Sequence, residues 1–492
     1  MEELLQLVYA PVDEWSERAR PAFAAALSER YARVRRDAVE EGREPRFQLR
    51  INAKITDKNV PYVALLPPDQ DPSGPYGGMS FVMFPADEPG RPALVGMVVG
   101  THGLAPDEAI LGRPGHARKT RAIAAWLRRR GAEFAWAKKD PVRIDLKPPA
   151  AVSKRLAVWR AAIQRYGHVL YAAFVPPDDR SDDALVRDAL AAYLDLFFGE
   201  RGVDVLKKHA KHAEAVRRGW LAATLPEARA EEVAALLAHR KYVVLEGPPG
   251  TGKTRLAGEL LEARYGGRGR VIQFHPGTTY ESFIGGLAPR RDEGAMGFHF
   301  AATPGHLMTA ATEAAASDEP YLLVVDEINR ADLAKVLGEA IYLFEPGEAG
   351  RTVELAHEFP EAGSTLCLPE NLHVLGTMNS ADRSIAILDL AVRRRFAFVS
   401  RWPQLSVVEE AGGERMQRAF HDLLLCFLEH ATDDAFSLMP GHAYFLAPDE
   451  LAAGRLSTEV VPLLREYLAQ GYVAGFADEI QAWLDEYAER GA

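Results

Sequence analysis

Apolar and polar positions follow different periods in different parts of the chain. Over residues 2–40 the apolar positions recur at helical spacing, which predicts helices. From about Arg46 they come in short runs separated by Pro, Gly and Asp, and this predicts strands joined by turns. The predicted strands cover residues 47–51, 62–66, 80–84 and 93–99. Together these segments predict a small N-terminal α/β module over residues 1–150.

Further along, the pattern becomes helical, then alternating, then helical again. Residues 151–222 are predicted to form a helical connector. Strands alternate with helices over residues 223–402, the pattern of a parallel sheet flanked by helices. Residues 403–492 are predicted to be helical apart from 441–446. The sequence therefore predicts an α/β fold in which a P-loop core lies between the N-terminal module and a C-terminal helical lid.

A glycine-rich loop follows the first strand of the predicted core. It reads Gly247-Pro248-Pro249-Gly250-Thr251-Gly252-Lys253-Thr254, a full G-x-x-x-x-G-K-T between a strand at 241–245 and a helix at 255–264. In this motif, backbone N–H groups and a helix N-terminus surround phosphates. Lys253 is predicted to reach the β- and γ-phosphates and Thr254 to ligate Mg²⁺. A chance glycine-rich turn is the ordinary alternative, and the strand–loop–helix context argues against it.

Two later strands end in polar residues that suit nucleotide hydrolysis. An apolar strand over 321–325 is followed by Asp326 and Glu327, a Walker B pattern. It predicts that Asp326 holds Mg²⁺ and that Glu327 activates the attacking water, although two acids could also simply cap the next helix. The strand over 372–378 ends at Asn379, the position of a sensor I residue that hydrogen-bonds the γ-phosphate or the lytic water. Because ligands bind at the carboxyl ends of parallel strands, all three segments are predicted to meet at one site.

Composition and charge narrow the class of protein further. A chain of 492 residues exceeds what one hydrophobic core supports, and no apolar run approaches the ~18 residues of a membrane span. Cys367 and Cys426 are isolated, so we expect reduced thiols, a cytoplasmic location and no membrane partner. The net charge is −11, yet residues 1–240 carry 37 Lys and Arg against 32 Asp and Glu. That surplus favours nucleic-acid contact in the first half, although a solvated surface more often explains such a surplus.

Several motifs of the predicted core resemble those of the McrB family, AAA+ NTPases that are the motor subunits of McrBC-type modification-dependent restriction systems. The likeness covers about residues 225–475 and its motifs are specific together, not singly. They are residues 273–275, 280–283 with 286, 326–335 with 338–339, 378–384, 389–396, 441–445 and 462–467. In the 378–384 segment, Ser380 stands where the family usually has threonine, a mild change that keeps the hydroxyl.

The resemblance implies a Mg²⁺-dependent NTPase that forms a ring, usually a hexamer, and drives translocation on DNA. It implies GTP as the substrate in the McrB case, while related proteins with this Walker B style use ATP, so both nucleotides remain open. It also implies a separate McrC-like nuclease subunit that stimulates hydrolysis. The sequence itself carries no recognisable nuclease signature, and cleavage is therefore expected from the partner.

The resemblance also assigns residues around the sensor strand. By this analogy Asn379, Asp382 and Arg383 belong to the nucleotide and hydrolysis site, and the asparagine–acid pair could help to choose the base. A cluster of arginines follows a dozen residues later, where AAA+ proteins place arginine fingers that reach a neighbouring subunit's nucleotide. The candidates are Arg393, Arg394 and Arg395, without a choice among them.

In this family the N-terminal region is a variable DNA-reading module that often selects modified bases. Here Trp126, Phe134 and Trp136 are candidates for stacking an unpaired base. A basic run accompanies them at residues 113, 116, 118, 119, 121, 128–130, 138 and 139. Core packing is the ordinary explanation for the aromatic residues, since Trp126 has core spacing with its apolar neighbours.

Other interpretations of the same motifs stay open. A MoxR- or dynein-related ATPase that remodels protein clients would carry the same core, and residues 1–220 would then bind protein rather than DNA. A regulatory switch is a weaker third interpretation, because Glu327 is intact. His442 lies in the lid near where sensor elements face the nucleotide, and a packed structural histidine explains it equally well.

Overall fold

A computed structural model describes residues 1–31, 48–53, 60–67, 70, 74–291, 298–345, 348, 350–360, 363–381 and 390–488. The chain divides into two compact units. The first comprises Met1–Thr224 with Leu428–His430, and the second comprises Leu225–Phe427 with Ala431–Ala492. Within the described residues, no helix is both long enough and apolar enough to cross a membrane.

The first unit is built on a six-stranded sheet in which each neighbouring pair is antiparallel. The strands are β1 (Gln48–Asn52), β2 (Tyr62–Leu66), β3 (Met79–Phe84), β4 (Leu94–Val99), β5 (Phe134–Ala137) and β6 (Leu170–Val175). Their order across the sheet is β1-β2-β3-β4-β6-β5. β3 and β4 are buried along their whole length, which explains why their sequences are almost continuously apolar.

Helices cover both faces of this sheet. Alternate residues of each strand point to opposite faces, and the apolar side chains of each face pack against helices. The helices are α1 (Glu2–Val8), α2 (Trp15–Arg30), α3 (Glu108–Leu111), α4 (Pro114–Arg129), α5 (Ala150–Arg155), α6 (Arg160–Tyr166), α7 (Asp183–Gly199) and α8 (Lys207–Thr224). Phe81 and Met83 belong to an apolar cluster with α1, α2, α4 and α7, whereas Val82 and Phe84 pack on the other face with α6.

The region predicted as a helical connector is part of this unit. Its segment Leu170–Val175 is β6, which lies inside the sheet between β4 and β5. The helical prediction for residues 151–222 is therefore wrong at this strand. The physical reason is that a short, fully apolar run has no periodicity that distinguishes a buried strand from a buried helix.

The second unit contains a five-stranded parallel sheet in the order β15-β7-β14-β11-β8. Two antiparallel hairpins, β9–β10 and β12–β13, accompany it and were not expected from the sequence. The strands are β7 (Tyr242–Gly247), β8 (Gly269–Gln273), β9 (Gly285–Arg291), β10 (Phe298–Pro304), β11 (Tyr321–Asp326), β12 (Thr352–Phe359), β13 (Gly363–Cys367), β14 (Leu372–Asn379) and β15 (Ala397–Ser400). The strand that precedes the glycine-rich loop, β7, thus lies between β14 and β15.

Helices flank this sheet and make up the C-terminal region. Those of the core are α9 (Ala230–Arg240), α10 (Lys253–Tyr265), α11 (Tyr280–Phe283), α12 (His306–Ala315), α13 (Leu333–Leu337) and α14 (Leu390–Arg395). The C-terminal helices are α15 (Leu405–Ala411), α16 (Glu414–His430), α17 (Asp433–Phe436), α18 (Asp449–Arg455), α19 (Val461–Ala469) and α20 (Ala477–Ala488). The α/β fold with a parallel core sheet and a helical C-terminal region is confirmed.

Candidate functional site

The glycine-rich loop forms a tight turn between β7 and α10. Gly250 and Gly252 have φ values of 76° and 74°, a region that favours glycine because it has no Cβ. The Thr251 hydroxyl donates to the Pro248 carbonyl at 2.9 Å and closes the loop on itself. Because Gly252 immediately precedes α10, the free N–H groups of that helix's first turn lie at the loop, as phosphate binding requires.

Lys253 lies inside this loop and is surrounded by neutral acceptors. Its ammonium donates to the carbonyls of Gly247 at 3.0 Å and Pro248 at 2.8 Å, and to Asn379 Oδ1 at 2.7 Å. Burial lowers the pKa of Lys253 to about 8, against the opposite effect of the two Walker B carboxylates. The lysine therefore connects the loop to the end of β14, where the sequence predicted a sensor residue.

A hydroxyl and a carboxylate form a candidate site for a divalent cation. Thr254 Oγ1 donates to Asp326 Oδ1 at 2.7 Å, and Thr377 Oγ1 donates to the same carboxylate oxygen at 2.6 Å. Mg²⁺ takes oxygen ligands, commonly one or two from the protein with water and phosphate oxygens completing the shell. The donor set at Thr254 and Asp326 fits this requirement.

Glu327 is fixed in an unusual backbone conformation beside this pair. Its φ of 54° is rare for a residue other than glycine, and its N–H donates to Thr377 Oγ1 at 3.2 Å. Asn379 Nδ2 donates to Glu327 Oε1 at 2.7 Å, and Arg330 Nε donates to Oε2 at 3.3 Å. Backbone and side-chain contacts together thus aim the carboxylate at the sensor asparagine.

Asn379 joins the two halves of the site. Its amide oxygen accepts a hydrogen bond from the Lys253 ammonium, and its amide nitrogen donates one to the Glu327 carboxylate. These contacts place Asn379 at the phosphate end of the site, so its position gives no support to a role in choosing the base. Asp382 and Arg383, the other residues assigned by resemblance, lie outside the described residues.

The sequence did not single out Thr377, which is only 1% exposed and contacts both carboxyl-bearing residues. A signal was present, since Thr377 precedes Asn379 by two positions on a strand and must share its face. Arg401, which directly follows β15, was also missed. Its Nε donates to the Thr251 carbonyl at 2.6 Å, so the fifth strand of the sheet also contributes to the loop.

The C-terminal region contacts the glycine-rich loop through its backbone. The N–H groups of Gly441 and Ala443 donate to the carbonyls of Pro249 and Gly250, both at 2.9 Å. Tyr444 packs over Gly250 so closely that a Cβ there would lie 2.7 Å from its ring. The lid segment that contains His442 is therefore attached to the candidate phosphate site.

The three arginines of α14 have different surroundings. Arg395 is 7% exposed and lies 3.5 Å from Glu345, whereas Arg394 is 64% exposed and lies 3.6 Å from the same carboxylate. Arg393 is exposed, with its guanidinium 5.1 Å from the centre of the Phe398 ring. Of the three arginines, Arg393 and Arg394 are therefore exposed enough for another molecule to contact them.

In the first unit, Trp126 does not have the exposure that base stacking requires. It is 8% exposed and belongs to the apolar core, which favours the packing explanation. Phe134 and Trp136 are half-buried on β5. Part of the basic run is also internal, because α4 buries one face that includes His116 and Arg118.

The first unit also contains a cavity of about 570 Å³, on the face of its sheet that α6 covers. Its aromatic wall includes Tyr62, Tyr76, Phe84 and Tyr166, of which Phe84 and Tyr166 are stacked at 5.6 Å. Arg165 also lines it. The cavity falls within the size range of small-ligand sites.

Comparison with known proteins defines the class of the second unit. Residues 242–396 match the model of the AAA domain of the dynein-related subfamily. Together with the parallel sheet and the loop geometry, this match shows that residues 242–396 form an AAA domain with the α/β AAA+ fold.

Individual relatives narrow the family. The chain is 31% identical over 268 residues to the type IV methyl-directed restriction enzyme EcoKMcrB subunit of Escherichia coli K12, covering 49% of this chain and 57% of the relative. It is 27% identical over 191 residues to the type II restriction enzyme BsuMI component YdiS of Bacillus subtilis 168, covering 32% of this chain and 55% of the relative. The chain thus spans little more than half the length of these relatives. Over the matched residues the chain is McrB-like, as the resemblance predicted.

A solved structure from Cytophaga hutchinsonii, a candidate ATPase, is also similar. It is 15% identical, with coverage of 48% of this chain and 74% of that one and a TM-score of 0.24.

Proposed function

We propose that the chain hydrolyses a nucleoside triphosphate with Mg²⁺. The observation that carries this proposal is one continuous set of hydrogen bonds that links the phosphate loop to both carboxylates. Its members are Lys253, Thr254, Asp326, Glu327, Thr377 and Asn379. A hydrolase needs a cation site, a water-activating base and a γ-phosphate contact within a few ångströms of one another, and this set supplies all three.

Each side chain has a distinct role in this mechanism. Thr254 and Asp326 would hold Mg²⁺, which supplies charge neutralisation of the phosphates when bound. Lys253 neutralises the β- and γ-phosphate oxygens once it exchanges its carbonyl contacts for them. Glu327 accepts the proton of the attacking water at Oε1 or Oε2, and Asn379 orients both that carboxylate and the γ-phosphate. Their convergence places water and phosphate side by side.

The decisive test is a hydrolysis assay with GTP and ATP side by side, each with Mg²⁺ and with EDTA. We expect Mg²⁺-dependent release of phosphate from at least one nucleotide. The two substrates share every phosphate contact described above, so the difference between their kcat/KM values measures base selection alone. Absence of turnover with both, in the presence of the partner subunit, would overturn the proposal.

We also propose that the active form is a ring, with six subunits by analogy with the McrB family, in which α14 acts on a neighbour. The support is topological. α14 precedes β15, whose first residue pairs with Val243 near the start of β7, whereas the phosphate loop follows the end of β7. Since strands rise ~3.3 Å per residue, the helix ends at the opposite edge of the sheet, more than ~10 Å from the loop of its own chain. Arg393 and Arg394 are exposed and suited to contact a neighbouring subunit's nucleotide.

The names of the relatives favour a restriction system as the biological setting. We propose that hydrolysis drives translocation on DNA and that a separate McrC-like subunit carries the nuclease and stimulates the NTPase. The test is to purify the chain with a co-expressed McrC-like protein and to measure NTP hydrolysis and DNA cleavage together. Stimulated hydrolysis with nucleotide-dependent cleavage is expected, and cleavage by this chain alone would contradict the division of labour.

We propose that the first unit reads DNA and that its aromatic cavity is the site for an unpaired base. Rings such as Tyr62 and Tyr166 provide faces on which a base can stack, and Arg165 provides a positive group at the wall. Gel shifts of the full chain on methylated and unmethylated duplexes, at low salt where phosphate contacts are strongest, test this. We expect Tyr166→Ala to weaken binding. Absence of binding to any duplex would refute the DNA-reading role.

A second candidate function is remodelling of protein clients by a MoxR- or dynein-related ATPase. It is compatible with the match of residues 242–396 to the dynein-related AAA model, which both candidates share. The two differ in what stimulates hydrolysis. Duplex DNA with a nuclease partner raises the rate in the first case, whereas an unfolded or assembled protein raises it in the second.

A further inference from the structure

The two flanks of β7 carry different chemistry. Asp326 and Asn379 are the last residues of β11 and β14, which lie on one side of β7, and Glu327 follows β11. Arg401 follows β15 on the other side. A nucleotide that lies across the loop with its γ-phosphate at the carboxylates must extend its other end toward β15. The groups near β15 therefore face the α-phosphate and the sugar.

Arg401 is a half-buried cation held by neutral groups. Its Nε donates to the Thr251 carbonyl at 2.6 Å and its Nη1 to the Ala228 carbonyl at 2.9 Å. Within the described residues, no carboxylate oxygen lies within 4.0 Å of its guanidinium nitrogens. Burial lowers the pKa of Arg401, and Glu227 and Glu259 raise it only through space. A half-buried guanidinium that is bonded to neutral carbonyls keeps its charge available to an anion from outside the protein.

His442 of the lid presents a donor to the same place. It is 6% exposed, and its Nδ1 accepts the Gln404 N–H at 3.2 Å, so the ring proton is on Nε2. Burial lowers the pKa of His442 to about 4, which keeps the ring neutral near pH 7. A Cβ placed on Gly252 would lie 3.8 Å from this Nε2 and 3.6 Å from Arg401 Nη2. Two N–H donors thus converge beside the loop, one from the core and one from the lid.

We propose that Arg401 and His442 together bind the α-phosphate and sugar of a nucleoside di- or triphosphate. The inference rests on the proposed NTPase function and extends it to a part of the nucleotide that the hydrolysis residues do not contact. Because the lid is already attached to the loop through Gly441 and Ala443, a nucleotide held by both donors fixes the lid to the core. Both residues act on retention of the nucleotide and of the diphosphate product, rather than on the bond that breaks.

The test compares Arg401→Ala, His442→Phe and His442→Gln in the full chain. Titration calorimetry with Mg-GDP and Mg-ADP measures diphosphate affinity, and steady-state kinetics separates KM from kcat. A lost hydrogen bond to a charged group weakens binding roughly 10- to 100-fold. We expect Arg401→Ala and His442→Phe to raise the diphosphate Kd by that factor and to change kcat far less. His442→Gln, which keeps an N–H near the Nε2 position, restores affinity to within a few-fold.

Arg270→Ala is the matched control. Arg270 lies on the far edge strand β8 and pairs with Glu313 of α12, so its replacement should leave nucleotide affinity unchanged. Wild-type chain that binds neither nucleotide would overturn the NTPase proposal itself. Wild-type binding with unchanged affinity in both donor-loss variants would overturn only the role of Arg401 and His442. Arg401→Ala also loses carbonyl contacts and can lower the melting temperature. In that case the comparison of His442→Phe with His442→Gln tests the inference, because equal nucleotide affinities of these two variants refute it.

Discussion

Replacing Thr377 by valine removes one hydroxyl from the centre of the hydrolysis site. That hydroxyl donates to Asp326 Oδ1 at 2.6 Å and accepts the Glu327 N–H at 3.2 Å. Valine has a similar outline but no hydroxyl, so both contacts are lost without a large change in volume. At 1% exposure, water has little room to replace them.

The size of the effect follows from these two bonds. A hydrogen bond to a charged group contributes about 1.5–3 kcal/mol, and an unsatisfied buried N–H costs about 1–3 kcal/mol. Even if only about 2 kcal/mol of this sum is lost from the transition state, kcat falls roughly 30-fold. The phosphate loop is untouched, so nucleotide affinity should change little.

The assay is steady-state phosphate release at saturating nucleotide, with affinity measured separately by a fluorescent analogue. Thr377→Ser keeps the hydroxyl and should retain most of the activity. Thr309→Val is the matched control, because the Thr309 hydroxyl donates to the carbonyl of Gly305, the residue that precedes α12, and lies away from the hydrolysis site. A Thr377→Val enzyme within threefold of wild type would refute the reasoning, and so would a serine variant as slow as the valine variant.

Four other variants test the remaining contacts. Lys253→Ala should abolish nucleotide binding, and tight binding of a fluorescent nucleotide would mean that the loop is wrongly assigned. Glu327→Gln should bind nucleotide and assemble normally but lose at least ~100-fold in turnover, measured as phosphate release; near-normal turnover would exclude it as the base. Arg394→Ala should be inactive alone but regain hydrolysis when mixed with Lys253→Ala, and mixtures that stay inactive would argue against action on a neighbouring subunit. Gly441→Ala should raise the nucleotide KM because its Cβ would stand 2.1 Å from the Gly250 carbonyl carbon, whereas Gly454→Ala, with open space around it, should not.

The sequence predicted the candidate site best where a motif lies at the end of a predicted parallel strand. The loop residues, Asp326, Glu327 and Asn379 each end or follow a predicted parallel strand, and such ends share one edge of the sheet. Thr377 and Arg401 belong to no motif, and their importance depends on side-chain directions and strand order. β6 was misassigned because its apolar run has no period, and the cavity around Tyr166 joins residues from distant segments, which no local pattern reveals. The roles of Asp382 and Arg383 stay predictions.

The interior position of β7, between β14 and β15, also has a consequence for how the protein is made. Val243, Val244 and Leu245 are fully buried in the finished fold, yet the strands on either side of them begin only at residues 372 and 397. At ~5–20 residues per second, a ribosome needs roughly 6–25 s after residue 245 to reach residue 372, where the first of these strands begins. Throughout that time these apolar residues have neither of their neighbouring strands. Nascent chains of this protein should therefore depend on chaperones until residue 400 has emerged, and nucleotide can stabilise the core only after synthesis passes that point.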